Sequence, residues 1–305
     1  MLDPNRRDFV KALVAGTAGL AFAVPAFGQQ APPAITVTKL TDRLAVLGGD
    51  GGNVALLIAD DGLMMVDSGL AARAADLLKA AADIDGRKVQ LLFNTHFHFD
   101  HVGANEALGG AGARIVAHEN VKKRLGMRIV SEAFNRTFEP LAPEGIPSET
   151  FAAGGRITFG GQRVEYTHVP LAHTDGDAYL FLPGANVLHT GDLGGNGLYP
   201  VIDYSSGGWI GGMIAGIDRL LKVGDVNTRV IPGHGPIATK VDLKASRDML
   251  SLVQERLTPM VRQERTVDEV VAAAPTKDLD QKWGAARGAG FVRQAYNSLL
   301  LQKGR

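Results

Sequence analysis

Residues 94–103 read NTHFHFDHVG, which puts three histidines and one aspartate within six positions of a chain that holds eight histidines in all. Burying such rings without partners costs free energy, so something must compensate them, and a divalent cation does so. His96 and His98 are two apart; at a strand end both rings point to the same side and can grip one ion. Asp100 and His101 follow in the turn. Further donors must arrive from distant loops, and three places offer them: His173 in LAHTDGD, Asp192 in LHTGD and His234 in IPGHG. With no cysteine in the chain, disulfides, thiolate nucleophiles and sulfur ligands are excluded, and any metal rests on nitrogen and oxygen.

Those residues need elements that end at one edge. ITVTKL, LAVLGG, NVALLIA and LMMVDSG alternate as strands, with turn signals between them. AARAADLLKAAADI has helical apolar spacing, and VQLLFNT is a continuous apolar run, the pattern of a strand buried on both faces. The histidine cluster therefore closes a strand and precedes a short helix, GANEALG, at the edge where α/β folds bind ligands. ARIVAH reads as a strand and ENVKKRLGMRIVSEAF as a helix, whereas the Pro-rich 136–149 reads as a loop flanking the site or a mobile lid. The β pattern returns from RITFGGQRVEYTHV to ANVLHTGD, and helices are expected over 209–222 and 241–263 around the short strand RVIPG. His173, Asp192 and His234 each follow one of these strands. The expected class is α/β (α+β), with a helical extension over about 241–305.

At 305 residues, 45% apolar and 21% charged, one large folded unit is the default. Lys+Arg and Asp+Glu both number 32, so there is no electrostatic footprint for nucleic acid or anionic membrane. The N-terminus carries NRRDFVK followed by LVAGTAGLAFAVPAFG, too short and Pro-interrupted for a comfortable membrane span. It resembles a twin-arginine export signal covering residues 1–28, the alternative being an uncleaved anchor. On that reading residues 29–305 form the mature, exported or periplasmic domain, without a membrane span, and the export machinery is a partner.

HFHFDH, His173, Asp192 and His234, together with Asp67 in MVDSG, resemble in order the five signature motifs of the metallo-β-lactamase superfamily, over residues 35 to about 240. The resemblance implies an αββα sandwich of two packed sheets with the site along one edge. It assigns a first metal to His96, His98 and His173, and a second to Asp100, His101 and His234, with Asp192 bridging. Asp67 resembles the family's buried carboxylate that orients ligands through hydrogen bonds. The nitrogen and oxygen donors with open positions suit two Zn²⁺ ions, with iron or manganese as alternatives.

Two close cations lower the pKa of a shared water toward about 7, giving hydroxide as a nucleophile at neutral pH. Asp100 then orients that hydroxide for attack on a carbonyl of a small molecule. His118, His168 and His189 are read first as structural, with His189 the best candidate to support a ligand from behind. Tyr199, Tyr204 and Trp209 sit in one loop past Asp192 and could wall a substrate pocket, with packing as the equal alternative. The glycines of HTDGD and GGDGG read as turn residues rather than phosphate nests. Asp192 occupies the position of a cysteine in one lactamase subclass and has no counterpart in the histidine-rich subclass. The reading therefore leans toward thioesterases of the glyoxalase II type and lactonases, while export leans toward a β-lactamase proper. A mononuclear iron dioxygenase of sulfur compounds is a further alternative, and a binding protein with a vestigial site a weaker one.

Overall fold

Period-two alternation of apolar side chains divides this sequence between two sheets. The computed structural model describes residues 34–49 and 51–303; the expected export signal, residues 1–28, lies outside them. The first sheet contains β1 (Thr36–Thr41), β2 (Leu44–Gly48), β3 (Val54–Ala59), β4 (Gly62–Val66), β5 (Val89–Asn94), β6 (Arg114–His118) and β9 (Glu149–Phe151), in the order β1-β2-β3-β4-β5-β6-β9. The second contains β10 (Gly154–Phe159), β11 (Gln162–His168), β12 (Ala178–Leu182), β13 (Val187–Gly191) and β14 (Arg229–Pro232), in chain order.

Leu91 and Phe93 of β5 face the second sheet, where they join Met64, Val66, Val164, Leu180 and Ile231 in the inter-sheet core. Their neighbour Leu92 faces the other way, toward Leu77 and Ala81 of helix α1 (Ala74–Ile84). Both faces of β5 are thus covered, as its unbroken apolar run requires. On the far side, helices α4 (Ile210–Leu220), α5 (Lys240–Arg262), α6 (Val267–Ala272) and α8 (Ala285–Lys303) cover the second sheet through Met213, Ile217, Leu250, Val253, Val270 and Phe291. The layers are αββα, as the resemblance implies. Among the described residues no helix is long and apolar enough to cross a membrane.

Strand direction brings the site together. β4 and β5 are parallel, as are β13 and β14, while β11 is antiparallel to β12 and β12 to β13, so β11 runs with β13. The segments leaving β5, β11, β13 and β14 carry His96 to His101, His173, Asp192 and His234. In the first of these segments the Thr95 carbonyl accepts from Ala178 N at the start of β12 (2.8 Å), tying the two sheets at that edge.

Two expectations are corrected. The helix read over 119–134 stops early: α3 spans Glu119–Leu125, Gly126 caps it, and β7 (Ile129–Ser131) turns back on β8 (Arg136–Phe138) as a hairpin. Ile129, Val130 and Ser131 alternate buried, exposed, buried, the strand period that the charged run before them masks. The stretch 136–149 is accordingly not all loop. It holds β8, a single 3₁₀ turn at Pro143–Gly145 and the first residue of β9.

Candidate metal centre

The tautomer of each ring follows from its outer partner. Asp67, at the end of β4, is fully buried with φ 64°, a left-handed backbone that a non-glycine residue adopts only when its surroundings hold it. Its Oδ1 accepts from Thr95 N (2.7 Å), and its Oδ2 accepts from Thr95 Oγ1 (2.8 Å) and His101 Nδ1 (2.8 Å). With its proton spent on Asp67, Thr95 Oγ1 can only accept from His96 Nδ1, 3.0 Å away. His98 Nε2 donates to Asp203 Oδ2 (3.1 Å), and His173 Nδ1 donates to the Val201 carbonyl (2.8 Å). In the neutral rings, then, the nitrogens left bare are His96 Nε2, His98 Nδ1, His101 Nε2 and His173 Nε2, and all four point inward.

Those bare nitrogens crowd one another. His173 Nε2 lies 2.8 Å from His98 Nδ1, and His101 Nε2 lies 3.3 Å from His234 Nε2. Asp192 reaches between them, with Oδ2 at 3.5 Å from His173 Nε2 and 3.4 Å from His234 Nε2, and Oδ1 at 3.3 Å from His101 Nε2. Asp100 Oδ2 stands 3.1 Å from His234 Nε2. The buried atoms His96 Nε2 and Asp192 Oδ1 have no hydrogen-bond partner among the described residues. Lone pairs aimed at one another in a buried space repel, and a divalent cation satisfies them together, so the donor set fits a metal. The ligand atoms fall into three groups, each within 4.8 Å: His96, His98 and His173; His96, His101 and Asp192; and Asp100, His101 and His234.

Electrostatics divides the site in the same way. Burial and the charge of His101 press His96 well below the usual imidazole value, and burial lowers His98 against the pull of Asp203. At the other end the carboxylates win. The Asp192 charge, opposed by burial, raises His234 to about 9, and despite its burial His101 is held well above the ordinary value by Asp192 and Asp67. Burial would raise Asp192 and Asp100, but the neighbouring histidines keep both ionised, Asp192 the more strongly. His96 and His98 are thus pushed toward the neutral imidazole, whereas the end held by His101 and His234 attracts positive charge, be it proton or metal.

Two supporting acids escaped the sequence reading. Asp203 is buried and accepts from Ser131 Oγ (3.4 Å) and from Ser205 Oγ as well as from His98. Burial opposes its ionisation, yet these donors hold it well below the carboxylate range. Asp177 gathers the His173 loop, accepting from His173 N (2.7 Å), Thr174 N (2.8 Å) and Thr174 Oγ1 (2.5 Å); burial pushes its carboxyl up to about 7 against those donors. In the sequence neither acid is distinguished from other loop aspartates.

The expected pocket residues are placed elsewhere. A cavity of about 200 Å³ opens on His98, Asp100, Asp192 and His234 and is walled by Phe134, Pro200, Val201 and Arg287. Tyr199, Tyr204 and Trp209 do not line it. Tyr199 is core, stacked on Phe291 and donating to Asp280 Oδ1 (2.9 Å); Tyr204 borders a separate surface hollow; Trp209 caps α4. His189 is buried in β13 and accepts from Gly191 N (3.2 Å), but it hydrogen-bonds none of the converging side chains. His118 and His168 lie outside the site, their rings stacked at 3.6 Å, and His118 caps α3 by accepting from Asn120 N.

The fold and this cluster together define a class. Residues 47–234 match the Metallo-beta-lactamase superfamily, and the chain belongs to it. Over 115 residues it is 33% identical to a hydroxyacylglutathione hydrolase of Brucella anthropi, and 31% identical to that of Brucella ovis. Those matches cover 38% of this chain and 37% of each relative, so the chain spans little more than a third of the curated relatives' length. Among solved structures, a metallo-β-lactamase from Pontibacter korlensis superposes with TM-score 0.60 at 20% identity, over 71% of this chain and 99% of that one. The sec-alkylsulfatase Pisa1 from Pseudomonas sp. gives 0.64 at 19% identity, over 87% of this chain and 50% of that one. At such identities the likeness is one of fold.

Proposed function

We propose that the protein is an exported, dinuclear zinc hydrolase of small carbonyl compounds, with thioesters, esters and lactones ahead of lactams. The observation that carries this reading is the set of four inward, bare ring nitrogens, each fixed by an outer acceptor, around two ionised carboxylates at a cavity edge. His96, His98 and His173 would hold one ion, Asp100, His101 and His234 the other, and Asp192 both. Zinc bound there would supply Lewis acidity and ionised water near neutral pH.

The chain's own groups do the rest. Asp100 borders the cavity and is kept ionised by His234 and His101 against its burial, so it can take a proton from an attacking water and orient it. Phe134, Pro200, Val201 and Pro232 present an apolar wall that limits water around the substrate. Asp67, Asp203 and the Val201 carbonyl fix three rings before any ligand arrives, which removes the reorganisation a loose site would need. The relatives named hydroxyacylglutathione hydrolase support thioesters as the first substrates to try.

The test is metal analysis of the purified protein, together with a panel of thioesters, esters, lactones and a chromogenic lactam. Two zinc ions per chain, turnover lost with chelator and restored with zinc, and a thioester or ester preference are expected. A protein that carries two ions but cleaves nothing overturns the hydrolase reading, and iron with oxygen uptake replaces it by an oxygenase. Export through the twin-arginine machinery is tested by Arg6→Lys with Arg7→Lys, which should trap precursor in the cytoplasm; unaffected export rejects it.

A further inference from the structure

One cation at the cavity has no partner among the described residues. Arg287 lies in the first turn of α8 and lines the same cavity as His98, Asp100, Asp192 and His234. No carboxylate or carbonyl among the described residues pairs with its guanidinium, whereas Arg124, Arg247, Arg256 and Arg293 each meet an aspartate. The start of α8 is also held firmly. Tyr199 N donates to the Trp283 carbonyl (2.9 Å), Tyr199 stacks on Phe291, and Gln294 accepts from Ile202 N (3.1 Å) while donating to the Ala133 carbonyl (3.1 Å). These bonds tie the helix to the loop after Asp192 that carries Pro200 and Val201 and to the turn between β7 and β8, so the backbone of Arg287 is held at the cavity edge.

We propose that Arg287 makes the site selective for substrates that carry a carboxylate away from the scissile carbonyl. The inference rests on the hydrolase reading above and deepens it. A planar guanidinium presents paired N–H donors that match a carboxylate, and an unpaired one beside a small cavity gives an anionic arm a directed contact. The cavity, at about 200 Å³, lies below the roughly 300–1,000 Å³ of pockets for drug-sized ligands, so the acyl compound that fits is short. The apolar wall of Phe134, Pro200 and Val201 takes its carbon chain, the carbonyl faces the histidine cluster, and the carboxylate lies on Arg287.

The probes are p-nitrophenyl hemisuccinate, which bears a carboxylate, and p-nitrophenyl butyrate, its neutral counterpart. Wild-type protein is expected to favour the hemisuccinate in kcat/KM by about 10- to 100-fold, the range of one charge-assisted contact, chiefly through KM. In Arg287→Ala that ratio falls toward one, in Arg287→Lys it is intermediate, and in Arg287→Glu it inverts. Equal preference in the wild type, or a ratio that Arg287→Ala leaves in place, overturns the proposal. Calorimetric titration with succinate and butyrate separates it from the hydrolase reading. If neither ester is cleaved but succinate binds at least tenfold tighter and Arg287→Ala abolishes the difference, the arginine assignment stands and the hydrolase falls. Equal binding of the two acids rejects the assignment whatever the turnover.

Discussion

Replacing Asp203 by alanine tests whether a residue that never faces the cavity sets the strength of the metal site. The carboxylate is buried, and truncating it leaves the His98 Nε2–H and the hydroxyls of Ser131 and Ser205 without their acceptor. Each such loss costs about 1–3 kcal/mol, so the variant should be destabilised yet folded. For the metal, loss of an outer partner of a ligating histidine weakens affinity by about 10–100-fold, or roughly 1.4–2.7 kcal/mol. The mechanism is specific: once Asp203 is gone, the proton of His98 is free to move to Nδ1, the nitrogen that faces His173 at 2.8 Å. Asp203→Asn keeps an oxygen toward His98 and turns its amide to the two serine hydroxyls, so it should retain most of the affinity. Competition against a chromogenic zinc chelator, on protein shown to be folded by circular dichroism, should rank wild type above asparagine above alanine. Alanine with wild-type affinity, or asparagine weaker than alanine, would refute the tautomer argument.

Four further outcomes are expected. Gly52→Ala places a methyl 2.4 Å from His101 Cε1, and Gly233→Ala places one 1.9 Å from Asp192 Oδ1, so each should lose metal while keeping native secondary structure; metal contents equal to wild type would show that the loops yield easily. Asp67→Ala removes the acceptor of His101 and Thr95 together and leaves a Cβ at a left-handed backbone position that alanine tolerates no better than aspartate, so metal affinity and stability should both fall, the first read by the same chelator assay and the second by urea titration. Chelation should lower the Tm, by the equivalent of about 4 kcal/mol per site when free zinc had been about 1,000-fold above its Kd; an unchanged Tm would mean no tight site exists. Burial lowers the pKa of His168, which faces His118, Asp175 and Glu119, from 6.5, so the unfolded chain binds the proton more readily. Its contribution to stability is therefore lost as pH falls below that value, and urea titrations should show a shallower acid loss in His168→Gln than in wild type.

Most strands and the strand-end placement of His96 to His101, His173, Asp192 and His234 are legible in the sequence because each depends on a local pattern, whereas the buried Asp67 is reached only through the family resemblance. An apolar run ends and a polar ligand follows. What the sequence hides depends on approach between segments far apart. Asp203 looks like any loop aspartate until the chain brings it to His98, 105 positions earlier. Tyr199 draws the eye as an aromatic beside a site, yet Phe291 and Asp280 of the C-terminal region claim it for the core. Gly52 reads as a turn residue, and its second duty, leaving room for the His101 ring, needs the tertiary contact to be seen. The Ile129 hairpin is missed because a strand of three residues carries too few positions to outweigh a helical run before it.

Every donor that converges on the centre comes from within residues 47–234, whereas Arg287 enters from a helix near the far end of the chain. Two separately encoded parts therefore meet at one cavity. On the proposed reading, mutations in the terminal helices would alter what is admitted while the chemistry behind it is inherited intact, which would give such a scaffold a short evolutionary route from one acyl compound to another.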